Sequence, residues 1–185
     1  ILLEMYMFKK IDNSFAYSVL AGGPIINIFT IGKDGIEDGM TAAWSCPFDP
    51  DVLLVVIDKT HTTAKNIRET KKLVIALPTK EGIEDSLKLG SIHGRDDQNK
   101  LNKVKLERTE NFNYPILKSS IAYFECELAD ENLFEDKGIC LAKVQHVYVQ
   151  EQYWDDKEQA FVPGCFNTIH HVAGSKFSFG GTVVE

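Results

Sequence analysis

Met40-Thr41-Ala42-Ala43-Trp44, a break at Pro47 and Pro50, Val52-Leu53-Leu54-Val55-Val56-Ile57, then Asp58-Lys59-Thr60-His61-Thr62-Thr63: the reading of residues 40–63 decides the fold. The apolar run from Val52 to Ile57 does not alternate. It predicts a strand covered on both faces, as in the core of a barrel. Neither proline can donate to a ladder, so a loop is expected between Trp44 and Val52. Hydroxyl residues at its start and Lys71-Lys72 at its end predict a short helix over Thr60–Lys71, with Thr60 or Thr62 as its cap.

Upstream, Ile25–Ile31 reads as a strand after Gly22-Gly23-Pro24. Gly32-Lys33-Asp34-Gly35 then turns the chain, because Asp-Gly supplies positive φ. The returning strand runs through Met40–Trp44. Downstream, Leu73–Leu77 is a second buried strand stopped by Pro78, and Glu81–Leu89 and Gln98–Val104 read as short helices. The last third is strand-rich: Ile121–Leu128, Ile139–Gln150, a turn at Asp155-Asp156-Lys157 before Phe161-Val162, and short strands near Ile169 and Phe177–Phe179. Many strands with few, short helices predict a mainly β fold, a β-barrel or sandwich with helical insertions. No linker or repeat divides residues 1–185, so one domain is expected. GxGxxG and GxxxxGK[ST] are absent, which argues against dinucleotide and P-loop folds.

The chain has 185 residues and a formal charge of −7. That balance argues against a nucleic-acid coat or a binder of anionic membranes. Ile1–Phe8 is apolar, but Glu4 interrupts it and the lysines follow it, so no signal peptide is expected. Cys46, Cys126, Cys140 and Cys165 have no CxxC spacing and read as reduced thiols of a cytoplasmic protein. His170-His171 would point to opposite faces of a strand, so no metal site is expected.

Charge is unevenly spread. Residues 59–108 hold 12 basic and 7 acidic side chains, a local +5, which leaves −12 on the remainder. Solvated helix faces account for this, and so does a site for a phosphorylated small molecule. For the second reading, Lys59, Thr60, His61, Thr62 and Thr63 lie between a buried strand and a helix start, where free N–H groups favour an anion. His93-Gly94-Arg95-Asp96 and Lys100 form a second donor-rich stretch.

Asp38-Gly39-Met40-Thr41-Ala42-Ala43-Trp44, the Pro47 and Pro50 break, Val52–Ile57, Lys59–Thr63, Ile67-Arg68-Glu69 and Val74–Pro78 together resemble the flavin reductase-like family, in particular its flavoredoxin branch. Tyr114-Pro115-Ile116 and Phe124-Glu125-Cys126-Glu127-Leu128 match a later family strand. The resemblance implies an FMN-binding split barrel and a homodimer. It places Met40, Thr41, Ala42, Ala43 and Trp44 along the flavin ring, with small side chains letting the ring approach the backbone. Thr41 would supply a hydroxyl and Trp44 an apolar wall. The phosphate would lie near Lys59, Thr60, His61, Thr62 and Thr63, with His93, Arg95 and Lys100 as further contacts. The family often has Asn where this chain has Asp38, and Ser-Gly-Arg-Asp where it has His93-Gly94-Arg95-Asp96.

The implied activity is an oxidoreductase that takes hydride from NADH or NADPH onto FMN and passes electrons to an acceptor. The flavin carries the chemistry, and no protein acid, base or nucleophile is required. The alternatives are an electron carrier reduced by a redox partner protein and a flavin-binding domain without turnover.

Overall fold

The computed structural model describes residues 12, 23–164 and 167–180. The Ile1–Phe8 segment, Gly22 and Cys165, read above from sequence, lie outside the described residues. Strands β1 (Ile26–Ile31), β2 (Glu37–Ala42), β3 (Ser45–Asp49), β4 (Val52–Val56), β5 (Lys72–Pro78), β8 (Ser120–Leu128) and β9 (Ile139–Val149) form one antiparallel sheet in the order β2-β1-β5-β8-β9-β4-β3. Its two edge strands, β2 and β3, are consecutive in the chain and linked by Ala43-Trp44 alone. A flat sheet of this order would be about 29 Å wide. Two linking residues reach at most about 11 Å. The sheet therefore curls until its edges meet, and Ala43-Trp44 crosses the seam of a split barrel.

The pleat supplies two cores. Ile26 and Ile28 of β1, and Leu73 and Ile75 of β5, face a cluster with Val55, Ile67, Cys126, Phe134 and Cys140. Their neighbours Phe29, Val74 and Ala76 face a second cluster with Leu89, Leu101, Tyr114, Ile116 and Leu117. Both faces of β5 are covered, which is why Leu73–Leu77 shows no polar alternation. In β4 only Val55 is fully buried, because the strand lies one place from the edge.

Helix α1 spans Thr62–Thr70 and ends on Lys71, whose φ of +62° lets its N–H reach the Ile67 carbonyl. A 3₁₀ turn at Lys80–Gly82 leads into α2 (Ile83–Ser91). The stretch expected as a helix over Gln98–Val104 is only a 3₁₀ turn, Lys100–Lys103. Among the described residues no helix is long and apolar enough to cross a membrane.

Other expectations need correcting. Pro47 lies within β3 and not in a loop. The strand is the sheet edge, so the missing N–H costs no ladder bond, and the register slips between Pro47 and Asp49. Ala43 and Trp44 fall outside β2. Neither Thr60 nor Thr62 caps α1: the N-cap is His61, with no side-chain capping bond. Besides β3, the hairpin of β6 (Leu106–Arg108) and β7 (Pro115–Leu117), α3 (Glu131–Lys137) and the strand at Trp154–Asp155 went unread. Two small hairpins close the described chain, β10 (Trp154–Asp155) with β11 (Ala160–Phe161) and β12 (Ile169–Ala173) with β13 (Lys176–Phe179).

Candidate functional site

A groove of about 610 Å³ opens along the seam. Met40–Trp44 form one wall, Val56–His61 the other, and Lys137 and His171 complete it. An edge strand leaves alternate backbone N–H and C=O groups without ladder partners, and β2 is such an edge. The groove runs into a narrower polar pocket through three shared residues, Met40, Thr41 and His61. Thr62, Thr63, Gly90, His93, Gly94, Arg95, Lys100 and Asp38 are among the residues that line that pocket.

The turn before α1 is built by Asp58. Its carboxylate accepts from the Thr60 N–H and hydroxyl, both at 2.8 Å, and its carbonyl accepts from His61 N–H at 3.1 Å. These bonds to Thr60 hold the Asp58 carboxyl below its usual range. α1 thus begins at the pocket with no capping side chain and no acid in its first turn. Such an end suits an anion, through free N–H groups and the helix dipole. His61 and His93 face each other with ring centroids 5.2 Å apart. Burial lowers the His61 pKa, aided by the charges of His93, Lys100 and Arg95 and opposed by Asp58. Arg95 is exposed, its Nε 3.9 Å from Asp96 Oδ1.

Beneath the pocket lies a buried ion pair. Lys100 Nζ is 2.9 Å from Asp38 Oδ1 and donates to the Ile92 carbonyl at 3.0 Å. Thr63 Oγ1 donates to Asp38 Oδ2 at 2.6 Å. Gly94 packs so closely that a Cβ there would stand 2.4 Å from Asp38 Oδ1 and 3.0 Å from Thr62 Oγ1.

The residues read from sequence as ligand contacts converge here, but several side chains turn elsewhere. Met40 and Ala42 pack on the barrel core, leaving their backbone at the edge. The Thr41 hydroxyl accepts from Asn27 Nδ2 at 2.8 Å and donates to the Ser86 carbonyl at 2.6 Å, so it faces β1 and α2 instead of offering itself to a ring. Lys59 Nζ donates to the Glu135 and Asp136 carbonyls at 3.1 and 3.3 Å, completing the last turn of α3. Thr60 is tied to Asp58. Ala43 and Trp44 line the groove, with Trp44 58% exposed. Gly90, Lys137 and His171 were missed as lining residues, whereas Asp58 and Gly94 stood within the two donor-rich stretches without being named as contacts. Asp58 had a legible signal, an Asx residue two positions before a hydroxyl at a helix start. His171 and Lys137 come from distant hairpin and helix ends and had none.

Among the described residues, no cysteine lines the groove or the polar pocket. Cys46 is exposed on β3 outside both lining sets, and burial pushes the Cys140 thiol up to about 12 and raises Cys126 further.

The sequence model of the flavin reductase like domain matches residues 22–167. The chain is 26% identical over 190 residues to the uncharacterized protein YddH of Escherichia coli (strain K12), covering 96% of this chain and 97% of that one. In structure it is similar to an FMN-binding domain of a flavin reductases-like enzyme from Shewanella baltica OS155, with TM-score 0.79, 27% identity and 95% of each chain covered. The flavoredoxin of Desulfovibrio vulgaris (Miyazaki F) shares the fold, with TM-score 0.79 at 18% identity over 97% of this chain and 96% of that one.

Proposed function

Because this chain belongs to the flavin reductase-like family, we propose that it is an FMN-binding oxidoreductase that takes reducing equivalents from NADH or NADPH and passes them to an acceptor. The observation that carries this reading is the continuity of an edge-strand groove with a polar pocket at a helix N-terminus. A flavin ring needs a flat, sterically open wall with donors at its polar rim. β2 offers edge backbone, and Ala43 offers a small side chain at the seam. A phosphate needs N–H and cationic donors, and the start of α1 with Arg95 and His93 offers them. A groove of about 610 Å³ also lies within the ordinary range for cofactor sites.

Bound FMN supplies the redox chemistry, accepting a hydride and releasing electrons. The protein's own part is binding and orientation. Backbone groups of Met40–Ala42 would fix the ring edge, Ala43 would allow close approach, and Trp44 and His171 would flank the groove. The N-terminus of α1 would hold the phosphate and, with it, the position of the ring. The homodimer belongs to the same proposal. Trp44 and Phe48, 58% and 61% exposed beside the seam, are apolar surface that a second copy would cover.

Absorbance of the purified protein tests the reading first. A flavin spectrum is expected, and FMN at about 100 times its Kd adds about 2.7 kcal/mol, or roughly 5–10 °C in Tm. A colourless protein whose Tm ignores FMN overturns it. Anaerobic mixing with NADH or NADPH should then bleach the flavin. Bleaching only by a reduced partner protein assigns an electron carrier instead.

A further inference from the structure

The ion pair under the polar pocket joins four pieces of the chain. Asp38 lies on β2, Thr63 on α1, Gly94 on the loop after α2, and Lys100 opens the following 3₁₀ turn. Asp38 and Lys100 are each only 3% exposed. Desolvating a carboxylate and an ammonium costs several kcal/mol, which their attraction does little more than offset. A stability role alone is therefore a weak account of the pair. Its geometry gives a better one. One carboxylate oxygen receives Lys100 while contacting the Gly94 backbone, and the other receives the hydroxyl of the second residue of α1. Lys100 in turn holds the Ile92 carbonyl at the head of the same loop. The loop that presents His93 and Arg95 is thus fastened to the helix end that presents free N–H groups. Lys100 also cancels a negative charge that would otherwise face an incoming anion.

We propose that Asp38, held by Lys100, is a positioning residue that fixes the Ile92–Arg95 loop against the N-terminus of α1 and so makes the site prefer a phosphorylated flavin over an unphosphorylated one. The proposal rests on the FMN reading and names the device by which this chain enforces it. Neither Asp38 nor the ammonium of Lys100 needs to touch the ligand.

The test is the ratio of the Kd values for riboflavin and FMN, measured by fluorescence titration beside Tm on the full chain. Wild type should favour FMN. Asp38→Ala should cut that preference at least about tenfold, chiefly through FMN. Lys100→Met, which leaves the carboxylate unmatched, should cut it as far or further. Asp38→Asn should keep it, since Oδ1 still accepts from Lys100 and Nδ2 can hold the Thr63 contact by donating to Oγ1, with the direction of that bond reversed. If Asp38→Ala weakens both flavins by one factor, the pair is merely structural and the proposal falls. Should Asp38→Ala and Lys100→Met fail to fold, Gly94→Ala decides. It keeps both charges but drives a methyl against Asp38 Oδ1, and an unchanged ratio overturns the proposal. Wild-type protein that binds neither flavin overturns the FMN reading and this proposal with it. A wild-type preference that survives Asp38→Ala overturns this proposal alone.

Discussion

Glu125, at the centre of β8, is wholly buried, yet it is a carboxylate. Its Oε1 accepts from the N–H groups of Asn111 and Phe112 at 2.9 and 2.7 Å, and its Oε2 accepts from Asn111 Nδ2 at 2.8 Å. The side chain thereby pins the loop between β6 and β7, over which Tyr123 and Tyr148 stack with centroids 4.9 Å apart. Glu125→Leu removes the acceptor for these three donors and for Thr109. Each bond to a charged acceptor is worth about 1.5–3 kcal/mol, and stranded donors cost about 1–3 kcal/mol each. Asn111 is exposed, so water recovers part of this loss, and the low end applies: about 3 kcal/mol, or roughly 6–12 °C in Tm. Glu125→Gln keeps one acceptor oxygen and should cost about 1 kcal/mol. Burial by itself raises the Glu125 pKa, but the bonds from Phe112, Asn111 and Thr109 outweigh it and hold the group below its ordinary 4.5. A depressed folded-state pKa stabilises above the unfolded value and loses that contribution as pH falls through the folded one. The gap in Tm between wild type and Glu125→Gln should therefore be full at pH 7 and close below about pH 4.5. Calorimetry of both variants from pH 7 to pH 3.5 measures it. A Leu variant within about 2 °C of wild type at pH 7, or a Gln gap independent of pH, refutes the reasoning.

Gly138 ends α3 at φ +70°, and a Cβ there would meet the Ile57 carbonyl at 2.5 Å; Gly138→Ala should cost at least about 3 kcal/mol, read from the urea midpoint. Ala43→Leu should weaken FMN binding at least about tenfold with Tm nearly unchanged, whereas Ala42→Leu should lower Tm by overpacking the core, at about 1–3 kcal/mol. In the native protein a thiol reagent should label Cys46 quickly and leave Cys126 and Cys140 untouched until denaturant is added, as peptide mass spectrometry would show. Lys59→Met should change FMN affinity by less than about threefold, because its ammonium is held by α3 carbonyls.

Strands buried on both faces were the most legible part of the fold. Leu73–Leu77 announces itself because every side chain meets apolar neighbours, whichever face it takes. Helix α3 was not legible by pattern. Phe134 is its one buried residue, so Glu131–Lys137 carries no apolar stripe. Its ends were written, though: Asp130 accepts from Leu133 N–H at 2.8 Å, and Gly138 closes it in the left-handed region. β3 was hidden by Pro47, since residue type does not reveal that a strand will be an edge. The site was legible as a region and illegible as a set of side chains. Thr41, Lys59, Thr60 and Lys100 are donor-bearing residues in the right places, but each is engaged within the fold. Composition counts donors; only geometry says which are already spent.

The +5 of residues 59–108 changes meaning on the same ground. Five of its basic residues pair with acids outside the segment: Lys65 with Asp34, Arg68 with Glu135, Lys71 with Glu131, Lys100 with Asp38, and Arg108 with Glu37. Those five acids offset the local excess, so the segment's net charge is largely the imprint of how α1 and its neighbours dock onto β2 and α3. Most of these pairs are exposed and worth little each. The imprint nevertheless removes net charge as an argument for an anion site. What remains at the pocket is directional: the uncapped start of α1, the two facing imidazoles, and Arg95 at the rim. Directional donors select a phosphate by geometry, and a diffuse positive field does not. Affinity for FMN should accordingly fall only weakly between low and physiological salt, while a site built on the segment's net charge would lose it steeply.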